Sequence, residues 1–217
     1  MWRQCSQLRR PRRSLPRRYD GAPLTVPILF PSSMPSWFAR PLPWCRLRHW
    51  LTGAGSLSAR LQAVCEHYAV QPVRQGSSPL RRNERSLLPA CRGRTHAREV
   101  VLRCDGEPLV YARTVVDARH VRGPWRALRG LGTRPLGHML FQDQALARQA
   151  LQYRRVPPCS PWRRQMQRLW QAATGEALPR GTVWARRSRF SRHGAPLVIV
   201  ELFSPRAAQR LPFRPRC

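Results

Sequence analysis

The sequence predicts an α+β domain in which a single antiparallel β-sheet is flanked by helices. Two stretches have the pattern of a strand, a tight turn and a second strand: residues 97–116 turn at an Asp-Gly pair (105–106), and residues 184–205 turn at a His-Gly pair (193–194). An amphipathic pattern over 56–68 predicts a helix before the first hairpin. Alternating β-α-β units are absent, which favours an antiparallel sheet over a parallel one.

The N-terminal segment is expected to lie outside the folded domain. Residues 1–33 are rich in Arg and Pro and show neither a helical nor a strand period, which is typical of a segment that buries too little apolar surface to fold. Their composition faintly resembles a presequence or a secretory signal, although the prolines break any amphipathic helix. The alternative is that Met34 is the true start and that 1–33 is not translated. We therefore expect a disordered extension at 1–33 and one domain at 34–217.

The first predicted helix has its apolar residues on one face, with Ser56 as the N-cap. These apolar residues are Leu57, Leu61, Val64, Cys65 and Tyr68. Residues 71–95 are polar and rich in Gly, Pro and Arg, which indicates a short strand and loops before the hairpin.

Further helices are predicted in the middle of the chain. Thr133 is a candidate N-cap for a helix that directs Leu136 inward. The first backbone N–H groups of a helix lack partners within the helix, so they favour anions. Two more apolar-periodic patterns follow, at 143–153 and 161–178. These two patterns predict two helices within residues 142–183.

The composition restricts the classes of function. The formal net charge is +30, from 40 basic against 10 acidic residues, which suggests a nucleic-acid or anionic-membrane partner. However, every basic residue is Arg, the charge is spread over the whole chain, and no nucleic-acid-binding motif accompanies it. This pattern is more typical of a GC-rich genome, so an Arg-rich nucleic-acid-binding protein is kept only as an alternative.

The cysteines and histidines carry no metal-site signature. The seven cysteines have no repeated spacing, and their odd number indicates a reducing compartment rather than a disulfide framework. No Cys/His pair has the spacing of metal ligands, so we expect no metal and no cofactor. The longest apolar runs are short and interrupted by Pro or Glu, and no membrane span is predicted.

Two charged residues occupy strand positions where the pattern requires an apolar side chain. Arg98 shares a face with Val100 and Leu102 and therefore points inward. Glu201 lies within 196–203, a strand that is otherwise apolar on both faces, as in the centre of a covered sheet. A buried charge loses several kcal/mol of solvation unless it is paired. Either the two residues form a salt bridge, or Glu201 reaches water on an edge strand, or both line a closed pocket for an anion and a hydroxyl or ether oxygen.

Four blocks of sequence together resemble the bacterial chorismate lyases, also called chorismate pyruvate-lyases. The blocks are REVVLRCDGEP followed by ARTVV, LGTRPLGHMLF, WARRSRF, and HGAPLVIVELFSP, in the family's order and over roughly residues 50–205. The resemblance implies a single antiparallel sheet flanked by helices and enclosing an internal ligand cavity. It also implies an enzyme that removes pyruvate from chorismate to leave 4-hydroxybenzoate, the first committed step toward the ubiquinone head group.

The resemblance assigns candidate site residues by position. The family's ligand-binding arginine falls on Arg98, its backbone contact on Leu136 and its carboxylate on Glu201, and Arg98 and Glu201 are the candidate catalytic residues. Leu57 matches a further contact position, where some members have Met. The stretch 142–183 is longer than the resemblance implies, and we interpret it as a helical insertion. The resemblance implies chorismate and 4-hydroxybenzoate as the ligands of a cytoplasmic monomer that does not bind nucleic acid. The second alternative is a non-catalytic ligand-sensing domain of the same fold, although residues 1–50 lack the winged-helix domain that normally precedes one.

Overall fold

A computed structural model describes residues 37–40, 45–53, 55–141 and 146–213. The extension predicted at 1–33 lies outside the described residues. The helices are α1 (Arg48–Thr52), α2 (Leu57–Gln62), α3 (Arg82–Arg85), α4 (Leu136–Phe141), α5 (Pro161–Thr174) and α6 (Pro205–Arg210), with two 3₁₀ helices at His120–Arg122 and Arg126–Gly130. The strands are β1 (Tyr68–Ser78), β2 (Thr95–Cys104), β3 (Glu107–Asp117), β4 (Leu146–Arg148), β5 (Gln152–Val156), β6 (Val183–Arg192) and β7 (Ala195–Phe203). Within these ranges, no helix is both long enough and apolar enough to cross a bilayer.

The strands form one antiparallel sheet, which confirms the predicted fold class. The strand order is β1-β2-β3-β7-β6-β4, and β5 also pairs with β6. Strand β7 therefore lies between β3 and β6, as its continuous apolar sequence predicts.

Both predicted turns are present. The first residues of the two turns, Asp105 and His193, have φ values of 52° and 47°, and the glycines that follow have φ values of 80° and 74°. These left-handed conformations match the twist of the flanking strands in a two-residue hairpin turn. In the second hairpin the register runs without a shift from Arg192–Ala195 to Trp184–Phe203.

Of the two helices predicted within 142–183, the first is wrong and the second is confirmed. Residues 143–153 are predicted as a helix, but this stretch contains β4 and the beginning of β5. The second predicted helix is confirmed as α5. Residues such as Ala, Leu, Gln and Arg favour a helix only weakly, and pairing of both segments with β6 overrides that preference.

The first predicted helix is shorter than its apolar pattern indicates. Ser56 caps α2 as predicted, since its hydroxyl accepts a hydrogen bond from the Ala59 N–H at 3.3 Å. However, α2 ends at Gln62, and Tyr68 already belongs to β1, where it pairs with Cys104. The edge strand β1 is also longer than predicted, and its register shifts just after Pro72, a residue tolerated at sheet edges and bulges.

A disulfide is present in the described part of the chain, contrary to the prediction from cysteine spacing. Cys65, which follows α2, is bonded to Cys104 at the end of β2, across 39 residues of sequence. The bond ties the segment after α2 to the sheet.

Both faces of the sheet are covered. On one face, α5 packs Met166, Trp170 and Ala173 against apolar side chains of the sheet. The same face holds a buried ion cluster, in which the Arg113 Nε donates to Glu84 at 2.6 Å and the guanidinium also pairs with Glu99. The opposite face is covered by α1 and α2, and further along by the 3₁₀ helices and α4. The candidate site lies on that opposite face.

Candidate active site

A cavity lies between the sheet and its cover of α2 and α4. Its floor consists of residues that stand opposite one another in the antiparallel register and therefore share a face. One row is Arg98, Thr114, Ile199 and Ser188, and the next row is Val100, Ala112, Glu201 and Arg186. The small side chains of Ala112 and Thr114 lie between Arg98 and Glu201. They leave the space that forms the cavity.

The cavity has room for a small ligand. Its cover includes Leu57 and Ser58 from α2 and Leu136, Gly137 and Leu140 from α4. The volume of the cavity, counted as the space open to the centres of water molecules, is about 50 Å³. One water molecule requires roughly 10–15 Å³ by the same measure. Mostly apolar walls with a few polar groups are typical of sites for small organic molecules.

Arg98 provides a positive charge at the β2 side of the cavity. Its side chain lines the cavity, and the residue is 3 % exposed. The Nη2 group donates to the carbonyls of Gly132 at 2.8 Å and Arg134 at 3.1 Å, which fixes the guanidinium beneath the segment that leads into α4. Its Nε is buried and has no hydrogen-bond partner among the described residues. Burial lowers the pKa of Arg98, and a bound anion would compensate for that lost solvation.

Glu201 lies on the same cavity floor, and its partner is Arg186. Two guanidinium nitrogens of Arg186 bind the two carboxylate oxygens, with the Nη2–Oε1 distance 3.2 Å. The third nitrogen, Nη1, donates to the carbonyls of Trp50 at 2.9 Å and Leu51 at 3.1 Å in α1. A carboxylate has about four acceptor positions, so Glu201 can still accept a hydrogen bond from a ligand hydroxyl.

This geometry decides between the three interpretations of the out-of-pattern charges. The salt bridge between Arg98 and Glu201 is wrong, because Glu201 pairs with Arg186. The edge-strand interpretation is also wrong, because β7 has a strand on each side. Arg98 and Glu201 instead line one cavity, with a space between them.

The first residues of α2 and α4, which the resemblance assigns as ligand contacts, face the same cavity. Leu136 is the first residue of α4, and Leu57 is the first residue of α2. Both line the cavity together with Arg98 and Glu201. The fold thus brings all four candidate residues together, and their contact with a ligand stays a prediction.

Two further arginines, Arg148 and Arg186, line the cavity and were not predicted from the sequence. Arg186 could have been found, because a two-residue turn at 193–194 places it directly opposite Glu201. Arg148 could not, since it lies in β4, which the local pattern assigns to a helix. Burial lowers the pKa of Arg148, the charge of Arg186 lowers it further, and Glu201 opposes both.

The match to a known family covers most of the chain. Residues 42–211 match the family described as chorismate lyase. The chain belongs to this family. Membership confirms the resemblance drawn from the four sequence blocks, and with it the expected class of enzyme.

Chorismate lyase relatives from several bacteria are similar over most of their own length. Proteins named probable chorismate pyruvate-lyase are 40% identical over 172 residues in Albidiferax ferrireducens (79% of this chain, 87% of the relative) and 44% identical over 162 residues in Cupriavidus pinatubonensis (73% and 80%). A third, from an Azoarcus species, is 42% identical over 179 residues (81% and 93%). Among solved structures, the effector domain of PhnF from Mycobacterium smegmatis is similar with a TM-score of 0.48 at 15% identity, over 77% of this chain and 93% of that one.

Proposed function

We propose that this chain is a chorismate pyruvate-lyase, which removes pyruvate from chorismate and leaves 4-hydroxybenzoate. The observation that carries the proposal is the convergence of Arg98, Leu136 and Glu201 on one cavity in a member of the chorismate lyase family. The names of the relatives support the same substrate.

Arg98 and Leu136 bind the carboxylate on the substrate ring. A guanidinium offers planar, paired donors that suit a carboxylate, and the buried Nε of Arg98 is a donor without a described partner. The N–H of Leu136 comes from the first turn of α4, where backbone donors have no partner within the helix. The two residues therefore fix the ring by its anionic end.

Glu201 faces the opposite side of the ring, at the C4 hydroxyl and the ether oxygen. In the reaction the bond between C3 and the ether oxygen breaks, the hydrogen on C4 is lost as a proton, and the ring becomes aromatic. Aromatisation makes the reaction strongly favourable, so the protein mainly needs to orient the substrate, exclude water and present fixed charges. Glu201 accepts a hydrogen bond from the C4 hydroxyl and is placed to relay a proton. Arg186 acts as a positioning residue that holds this carboxylate.

A covered cavity has a consequence for product release. Because α2 and α4 lie over the floor, 4-hydroxybenzoate leaves only when the cover moves, and we expect product inhibition. We expect the enzyme to act as a monomer. By the family resemblance, the product is expected to supply the ubiquinone head group and the enzyme to act in the cytoplasm.

The direct test is turnover by the purified full chain. Chorismate should yield equimolar pyruvate, followed by coupling to lactate dehydrogenase, and 4-hydroxybenzoate, followed by chromatography. Arg98→Met should reduce kcat/KM and weaken 4-hydroxybenzoate binding about tenfold to a hundredfold, because a hydrogen-bonded charge pair is lost. Arg103→Met is the matched control, since Arg103 lies on the same strand outside the cavity, where it donates to Gln71 at 2.7 Å. An Arg98→Met variant with unchanged kcat/KM would refute the assignment.

The same preparation separates the two alternatives. Binding of 4-hydroxybenzoate without any pyruvate release would favour a ligand-sensing domain. Retention on heparin at physiological salt, without binding of either small molecule, would favour a nucleic-acid-binding protein.

A further inference from the structure

A hydroxyl on the cavity floor indicates how the part of the substrate that leaves is recognised. The inference rests on the proposed function, because chorismate carries a second carboxylate on its enolpyruvyl side chain and 4-hydroxybenzoate does not. Arg98 and Leu136 are assigned to the ring carboxylate, and Glu201 is assigned to the C4 hydroxyl. The enolpyruvyl carboxylate therefore needs a hydrogen-bond donor of its own once water is excluded.

Ser188 is a buried donor that lines the cavity. It lies in the middle of β6 and is 3% exposed. Its side chain shares a face with that of Arg186, because the two residues are two positions apart on one strand. No hydrogen bond joins the Ser188 hydroxyl to another of the residues that the structure describes. A buried hydroxyl without a partner is unfavourable, and a ligand carboxylate would supply the missing acceptor.

The register of the sheet places Ser188 at the Glu201 end of the cavity. The row of facing residues across β2, β3, β7 and β6 consists of Arg98, Thr114, Ile199 and Ser188. Ser188 is therefore three strand steps from Arg98, or about 14 Å at the usual strand spacing. Glu201 belongs to the neighbouring row and lies on β7, one strand closer to Arg98.

The substrate presents its groups in the same order as the floor. A ring held at Arg98 by its carboxylate directs the C4 hydroxyl, on the opposite ring carbon, toward Glu201. The enolpyruvyl group is attached to C3, beside C4, and Ser188 lies one strand beyond Glu201 and one row to the side. The charge of Glu201 does not prevent a carboxylate from approaching, because Arg186 binds both oxygens of Glu201 and neutralises it.

We propose that the Ser188 hydroxyl donates a hydrogen bond to the carboxylate of the enolpyruvyl side chain and so makes the site selective for the substrate over the product. The contact does not involve the bond that breaks, between C3 and the ether oxygen. It is therefore about equally strong in the bound substrate and in the transition state. Such a contact lowers KM and leaves kcat unchanged. Release of pyruvate removes it, and 4-hydroxybenzoate is then held by its own carboxylate and hydroxyl alone.

The test compares a ligand that has both carboxylates with one that has only the ring carboxylate. In Ser188→Ala, the KM for chorismate should rise about tenfold to a hundredfold, because a hydrogen bond to a charged group is lost. The kcat, and the Kd of 4-hydroxybenzoate measured by calorimetry, should stay within about twofold. In Arg98→Met, both ligands should weaken together. Ser191→Ala is the matched control, because Ser191 lies on the same strand and alternation directs it to the opposite face.

A second variant and a stability measurement guard against misfolding. Ser188→Ala should keep the Tm of the wild type, because no described residue loses a hydrogen bond. Ser188→Cys keeps the shape of the side chain with a weaker donor, so its KM should lie between those of the wild type and Ser188→Ala.

Three results would overturn this inference and leave the proposed function intact. They are an unchanged KM in folded Ser188→Ala, a fall in kcat at unchanged KM, and an equal loss of affinity for both ligands. Wild-type protein that neither converts chorismate nor binds 4-hydroxybenzoate would overturn the proposed function and this inference together.

Discussion

Replacing Arg186 with Met should destabilise the protein strongly, because Arg186 is the centre of a buried polar network. The Arg186 side chain is 2% exposed and that of Glu201 is 12% exposed. The substitution leaves the carboxylate without its partner and removes a donor from two α1 carbonyls. Breaking one side of a buried ion pair costs about 3–5 kcal/mol. For a chain of this length, each kcal/mol lowers Tm by about 2–4 °C, so Tm should fall by roughly 6–20 °C.

The double variant Arg186→Met/Glu201→Met separates the ion pair from the other contacts. It removes both charges, so it should recover most of the lost stability while remaining inactive. Urea unfolding gives the free energies, and Arg155→Met serves as the exposed control. In the single variant at temperatures where it is folded, kcat should fall more than KM rises, because Glu201 is no longer held in position. A single variant within about 1 kcal/mol of the wild type, or a double variant no more stable than the single one, would refute the reasoning.

Three further predictions concern the cavity floor, the disulfide and acid stability. Ala112→Leu should fill the cavity and abolish turnover and 4-hydroxybenzoate binding, while Tm stays the same or rises because the added methyl groups occupy empty space. Reduction of the Cys65–Cys104 bond should lower the free energy of unfolding by up to about 4 kcal/mol, from the entropy of closing a loop of this length. The hydrogen bond from the Arg119 side chain lowers the pKa of Asp117 to about 2 from 3.8. Its stabilising contribution should therefore be complete above pH 4 and disappear as the pH falls toward 2, and Asp117→Asn should lack this dependence.

Each of these predictions has a clear contrary result. Full turnover by a folded Ala112→Leu variant would show that the cavity is not the active site. Thiol titration first shows that the Cys65–Cys104 bond is intact. If reductant then leaves the midpoint of urea unfolding unchanged, the loop-closure argument is contradicted. Equal acid unfolding profiles for Asp117→Asn and the wild type would show that the Arg119 contact contributes nothing measurable.

Local signals predicted the hairpins and the inward direction of Arg98. The turns depend on residue pairs with left-handed conformations, and the side-chain direction depends only on strand alternation. The partner of Glu201 was predictable in principle, since a two-residue turn fixes which residues face each other. Arg98 and Glu201 are conspicuous because they break the apolar pattern of their strands, whereas Arg186 lies in a run of arginines where none stands out.

Features that depend on distant pairing were not predictable from local patterns. Strand β4 has a sequence that favours a helix and becomes a strand because β6 offers unpaired backbone groups at its edge. The position of Arg148 on the cavity wall follows from that pairing alone. The bond between Cys65 and Cys104 likewise requires α2 and β2 to meet in space, which no cysteine spacing reveals.

The alternation of side chains in β2 places a cavity residue on one face of the strand and an ion-cluster residue on the other. Arg98 faces the ligand cavity, and its neighbour Glu99 belongs to the ion cluster under α5. Engineering for a new aromatic ligand can therefore vary Arg98 and the cavity residue Thr114 opposite it without changing the ion cluster on the other face. An insertion of one codon within β2 would exchange the residues on its two faces and would therefore abolish both the ligand site and the ion cluster.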